Sequence, residues 1–187
     1  MGNAVTFIKA DLLRYGISGN FSLFSFLKYT FFKITPGIKF SIIFRFCQYY
    51  RRRNKLVFYF FYLWLKRIKY SYGFDISYRT QIGKGLYIGH FGGVVIHGDT
   101  VIGENCNISQ GITVGVLNRG KHVGIPKIGN NVFIGPNAVV LGGISVGNNV
   151  LIGANSLVNF DVPDQAVVAP TKSSIISFNG TENYVAT

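Results

Sequence analysis

The sequence predicts a parallel β-helix preceded by a basic, aromatic, α-helical region. Two observations carry this. An aliphatic residue recurs every six positions from Ile76 to Val158, and charge and aromatic content change abruptly near residue 72. The chain therefore divides into a helical region over 1–72, a coiled β domain over 73–176 and a tail over 177–187.

Charge sets the first boundary. Of 19 Lys and Arg, 13 precede Gly73 and face one acid, Asp11, so the region 1–72 holds the whole net charge of +12. From Gly73 onward, six basic and six acidic residues cancel. The first region also carries 21 aromatic residues, while the second is rich in Gly, Val, Ile and Asn.

Thr6 and Gly16 bracket Phe7, Ile8, Leu12 and Leu13 as the N-cap and closing glycine of a first helix. Apolar-aromatic segments from Phe21 to Phe32, Ile38 to Tyr50 and Leu56 to Tyr70 predict three more, separated by Thr35-Pro36-Gly37 and by Arg51 to Asn54. Such helices are expected to cover the open end of the β-helix. Their rings and cations also suit peripheral contact of residues 1–72 with an anionic membrane. The longest apolar run, Leu56 to Leu65, is about half the roughly 20 residues a spanning helix needs. Nucleic acid would match the charge, but no recognition motif accompanies it, so no nucleic-acid partner is expected. Lys9, Asp11 and Arg14 interrupt any signal-peptide core, which points to the cytoplasm, at the inner face of the membrane. Cys47 and Cys106 lie in different regions without paired-ligand spacing, so reduced thiols and no metal are expected.

The repeat runs through Ile76, Ile82, Ile88, Ile96, Ile102, Ile108, Val114, Ile128, Ile134, Val140, Val146, Ile152 and Val158. A six-residue step is a whole multiple of the strand period, whereas on an α-helix it scatters side chains around the cylinder. Glycine follows many of these positions, as in Ile82-Gly83 and Val146-Gly147, so the unit is a short strand and a turn. Four residues on, small side chains such as Thr100, Cys106, Ala138 and Ser156 are expected inside tight corners. Units this short must stack to bury a core, which predicts coils. The register breaks twice, between Ile88 and Ile96 and between Val114 and Ile128, and insertions in a solenoid mark functional loops. Two of the three histidines, His90 and His122, lie there.

Over residues 73–176 the sequence resembles the hexapeptide-repeat acyltransferases, and within them the serine acetyltransferase branch. The resemblance is carried by Phe74-Asp75-Ile76, by Ile82-Gly83-Lys84-Gly85-Leu86-Tyr87-Ile88-Gly89-His90, by Gly93-Val94-Val95-Ile96, and by Pro126-Lys127-Ile128-Gly129 with the hexads after it. It implies a left-handed β-helix, a homotrimer, and acetyl-CoA bound in a groove between subunits. It also implies His90 as general base with Asp75 as its carboxylate partner. Gly115, Gly135 and Ala154 become candidates for the cofactor groove, and Lys172 reads either as a phosphate contact or as a solvated lysine.

The chemistry agrees. A hydroxyl is too weak an acid to attack a thioester near neutral pH without a base, and imidazole titrates in that range. A carboxylate on its other nitrogen would fix the tautomer, and no metal is required. Where serine acetyltransferases carry an arginine and a histidine before the Pro-Lys pair, this chain has Gly124-Ile125, and Gly89 replaces the aspartate beside the catalytic histidine. Both grips on a charged amino acid are gone, which favours a saccharide acceptor, lipid-linked or polymeric, with Arg119 and His122 reaching back from the loop. Polysaccharide-modifying relatives of the colanic acid type show a similar replacement. Serine acetylation and a γ-carbonic-anhydrase-like zinc protein stand as alternatives, the latter opposed by the spacing of His90, His97 and His122.

Overall fold

A computed structural model describes residues 2–32 and 35–174. The expected tail and residues 175–176 lie outside the described residues. Four helical segments come first: α1 (Gly2–Leu13), α2 (Leu23–Leu27) running into a π-helical turn (Lys28–Phe32), α3 (Pro36–Tyr50) and α4 (Lys55–Tyr72). Helix α1 starts before Thr6, which therefore lies inside it and is not its N-cap; Gly16, at φ +72°, does turn the chain beyond its end. Ser22 and Asn54 cap α2 and α4, accepting from the amides of Ser25 and Val57. Helix α4 ends at Gly73 in the left-handed region, where a Cβ would lie 3.1 Å from the Gly93 amide nitrogen.

The strands then coil through three parallel sheets. The first holds β1 (Phe74–Ile76), β4 (Val94–Ile96), β7 (Thr113–Gly115), β10 (Val139–Leu141) and β13 (Leu157–Val158). The second holds β2 (Gln81–Ile82), β5 (Val101–Ile102), β8 (Lys127–Ile128) and β11 (Ser145–Val146). The third holds β3 (Tyr87–Ile88), β6 (Asn107–Ile108), β9 (Phe133–Ile134), β12 (Leu151–Ile152) and β14 (Val167–Val168). Up to β10 each strand pairs with the one three places along, so three strands make one coil of a solenoid of about five turns; in the last coil β12 pairs with β14, the second sheet contributing only the bridge Val146 to Val162.

The six-residue period is the register of this ladder. Ile76, Ile96 and Val114 stack in the first sheet, Ile82, Ile102 and Ile128 in the second, and Ile88, Ile108, Ile134 and Ile152 in the third. Every one of the thirteen repeat positions is buried, as are Thr100, Cys106, Ala138 and Ser156 at the corners. Corner residues in the left-handed region are Gly, Asn or Gln, among them Gly85, Asn105, Asn131, Asn149 and Gln165 at successive coils of one corner. Asparagine and aspartate side chains also tie the coils together, Asn148 accepting from the Asn130 amide and Asp164 from that of Asn148. Cys47 and Cys106 are buried free thiols, and burial pushes that of Cys47 up to about 12.

The first coil has no coil beneath it, so its lower N–H and C=O groups need other partners. The helices supply them from side chains. Arg45 donates to the carbonyl oxygens of Ile82 and Gly83, both at 2.6 Å, and Gln48 to those of Tyr78 and Thr80. Asp11 accepts from the Leu86 amide at 2.8 Å. The Tyr15 hydroxyl accepts from the Ile88 amide and donates to the Ile88 carbonyl. Arg45 and Asp11 are themselves paired at 2.9 Å in the interior. Burial pushes the Asp11 carboxyl above its ordinary range, while the Arg45 guanidinium and the Leu86 amide pull the other way.

Asp11→Ala, which leaves the buried guanidinium without its counter-ion, is expected to cost about 3–5 kcal/mol in urea unfolding. Lys84→Ala, which breaks the half-exposed Lys84–Glu104 pair, should cost less than about 1 kcal/mol. Equal losses from the two would refute the anchoring role of Asp11.

Candidate active site

The first register break adds its two residues at the corner between the third and first sheets. Ile88 to Val94 spans six residues there, whereas the stacked pair Ile108 to Ile112 spans four. The excess pushes His90 and Phe91 outward, and both are exposed. Gly92 and Gly93, both at positive φ, return the chain to the ladder, with the Gly92 amide donating to the Tyr72 carbonyl at 2.9 Å. Tyr15 clamps both backbone groups of Ile88, two residues before His90, so the helical region fixes the strand that carries the histidine.

His90 lies against a groove of about 270 Å³ on the third-sheet side of this corner, lined by Tyr87, Asn107, Ser109, Gln110 and Phe133 among others. Every lining residue but His90 is non-ionic or a phenol. The Arg14 guanidinium, which reaches the groove residue Asn107, is engaged by the Asn105 carbonyl and the Asn107 side chain. Gln110 was not singled out from the sequence, yet it occupies the position of His90 one coil further on, since Ile108 stacks on Ile88. Its Oε1 is buried without a hydrogen-bond partner among the described residues. An unpaired buried acceptor beside an exposed imidazole is an arrangement suited to a ligand donor.

Asp75, expected as the partner of His90, makes its ion pair elsewhere. It stands on β1 with its side chain 75% exposed and meets Lys69 of α4 at 3.0 Å. Among the described residues no hydrogen bond joins it to His90. Asp75 and Lys69 line a larger cleft of about 520 Å³ between α4 and the first sheet, which reaches Gly93 but not His90. The two cavities thus approach one corner from its two sides.

The second insertion leaves the first sheet after β7 and rejoins the second at β8. Leu117 and Gly124 exchange both backbone hydrogen bonds at 2.9 Å, and the loop sits on Gly142 and Gly143, where a Cβ would strike the carbonyls of His122 and Val123. Arg119 and His122 consequently lie at the opposite edge of the first sheet and between one and two coils above His90. In the single chain neither lines the groove at His90, the loop being held to its own corner. His97 belongs to a turn, its Nδ1 accepting from the Asp99 amide. Among the described residues, no three His, Cys, Asp or Glu side chains gather where a metal ion could be held.

The cofactor candidates separate as well. Ala154 is exposed at the same corner as His90, and its amide makes no hydrogen bond among the described residues. Gly135 shares that corner, but its amide donates to the Ile152 carbonyl at 2.8 Å, so it has no N–H to offer a ligand. Gly115 ends β7 at the far edge of the first sheet, and Lys172 is exposed beyond β14.

Residues 125–159 match the family model described as bacterial transferase hexapeptide (six repeats). The chain is 34% identical over 143 residues to serine acetyltransferase of Helicobacter pylori, covering 76% of this chain and 82% of that protein. The chain belongs to the hexapeptide-repeat acetyltransferases of the serine acetyltransferase branch. At a similar level, 37% over 139 residues, it matches the putative colanic acid biosynthesis acetyltransferase WcaB of Escherichia coli, covering 70% of this chain and 82% of that protein. Among solved structures of the branch, serine acetyltransferase (CysE) of Neisseria gonorrhoeae in complex with serine superposes with a TM-score of 0.70 at 30% identity, covering 94% of this chain and 70% of that one. The chain spans 37% of the chloroplastic serine acetyltransferase 1 of Arabidopsis thaliana, to which it is 41% identical over 117 residues.

Gln110→Leu keeps the volume and deletes the unpaired oxygen. Its unfolding free energy should fall within about 1 kcal/mol of the parent's or above it. A larger loss, measured by thermal unfolding, would show that the amide serves the fold and not a ligand.

Proposed function

We propose that this protein is an acetyl-CoA-dependent O-acetyltransferase acting on a saccharide hydroxyl, with His90 as general base. The observation that carries the reading is the exposed His90 over a groove whose other lining residues carry no charge, with Asn107, Ser109 and Gln110 among them able to hydrogen-bond. A hydroxyl brought to the imidazole loses its proton as it attacks the thioester carbonyl, and the proton passes from His90 to the departing thiolate. No covalent enzyme intermediate is needed. Asp75 takes the supporting role once its ion pair with Lys69 is exchanged for the imidazolium, holding the tautomer and balancing the charge.

The donor fits the same corner. His90, Gln110, Pro136 and Ala154 occupy equivalent positions on four successive coils, a track of about 14 Å at one strand spacing per coil. A thin, extended acyl-carrier arm can lie along it, with the free Ala154 amide and the Gln110 amide as partners. The loop carrying Arg119 and His122 can contribute only from a neighbouring subunit, which accords with the homotrimer expected of the family.

The branch's own serine acetyltransferases favour a second reading, with free serine as acceptor. The relatives named for serine and for colanic acid biosynthesis match at similar identity, so the acceptor is argued from this chain's residues. Gly89, Gly124 and Ile125 leave no fixed charge of this chain at the positions that would grip an amino acid's carboxylate and ammonium groups.

His90→Ala should lower acetyl-CoA turnover by roughly 10²–10⁴-fold while the thermal midpoint is kept. Thiol release is to be followed with a panel of oligosaccharides and with L-serine. Turnover with L-serine alone would replace the saccharide by the amino acid; turnover unaffected in His90→Ala would remove the proposed base.

A further inference from the structure

We infer that the outward face of the helical region is a docking surface for an anionic lipid bilayer, with α4 and the α2 segment lying in the plane of the membrane. This goes beyond the acetyl-transfer reading and does not depend on it.

Helix α4 buries only Leu65 and Ile68 fully, and its outer side bears Leu56, Tyr59, Phe60, Leu63 and Tyr70, all more than half exposed. Spacings of three, four and seven residues put these side chains on one stripe of the helix. Across from it, the α2 segment exposes Leu23, Phe24, Phe31 and Phe32, at 75%, 76%, 58% and 80%. The two stripes are joined through Trp64, whose ring meets Phe31 at 5.2 Å and Phe60 at 5.8 Å. Large apolar side chains left outside on this scale need a partner.

Charge identifies it. The only acid before Gly73, Asp11, is sealed in its pair with Arg45, so every exposed charged side chain of the helical region is a cation. Lys28, Arg51, Arg52, Arg53, Lys55, Lys66 and Arg67 are exposed around the apolar stripes. Among the described residues, no helix is long and apolar enough to cross a membrane, so these helices lie on a bilayer and do not span it. A second copy of the chain would bring like charge against like, and a nucleic acid would leave the leucines and phenylalanines uncovered. An anionic bilayer satisfies both halves of the surface at once, the headgroups taking the cations and the acyl boundary taking the rings.

The test is co-sedimentation of the full chain with vesicles of phosphatidylcholine, with and without phosphatidylglycerol. Binding should require the anionic lipid and be accompanied by a blue shift in the emission of Trp64, the sole tryptophan. Replacing Arg51, Arg52 and Arg53 together by Gln should weaken it on the order of a hundredfold. The triple replacement Leu56→Ser, Phe60→Ser and Leu63→Ser should weaken it by at least about tenfold. Both variants should retain helical circular dichroism and turnover with a soluble acceptor. Absence of vesicle binding would overturn the inference. Binding indifferent to the serine variant would also overturn it, as adsorption to any polyanion. So would a Trp64 shift that follows protein concentration without lipid, which would assign the face to a second copy.

Discussion

A stack of coils has an end, and the structure turns on how that end is closed. Every coil but the first finds its lower hydrogen-bond partners in the coil beneath. The first finds them in four side chains of the helical region: Asp11, Tyr15, Arg45 and Gln48. This is a demanding solution, because it buries a carboxylate and a guanidinium that must be matched to each other as well as to the backbone. Its reward is order at a chosen place. The clamped stretch, Ile82 to Ile88, runs straight into the corner that carries His90, so the helices are part of the machinery that sets the histidine's position.

Much of this was legible in the sequence because the solenoid writes its own register. The six-residue period names the inward positions, and all thirteen are buried where the stack requires. The interruptions of that period named both loops, since a coil of fixed circumference can take extra residues only at a corner. The four helical segments were visible from their apolar runs, although the start of α1 was not. Thr6 resembles a cap, but nothing in the residues before it stops the helix from running back to Gly2.

What could not be read was whatever depends on contact between distant parts. Asp75 was expected to serve His90, but its pairing with Lys69 depends on how α4 descends along the first sheet, which no local pattern encodes. Arg119 and His122 share a loop whose sequence gives no direction; its seat on Gly142 and Gly143 does. Gly135 has the small size a cofactor groove wants, yet the ladder had already claimed its amide. Gln110 is within reach of the same register that locates His90, one coil further along, but an amide carries no titration signal to mark it.

The seating of the second loop has a further implication. The loop closes on itself through Leu117 and Gly124 and rests on two glycines, so the coils on either side are complete without it. It is an exchangeable cassette. Changes in its length or chemistry need not propagate into the stack, and a lineage could vary the loop while keeping the load-carrying ladder, the helical closure and the histidine corner as they are.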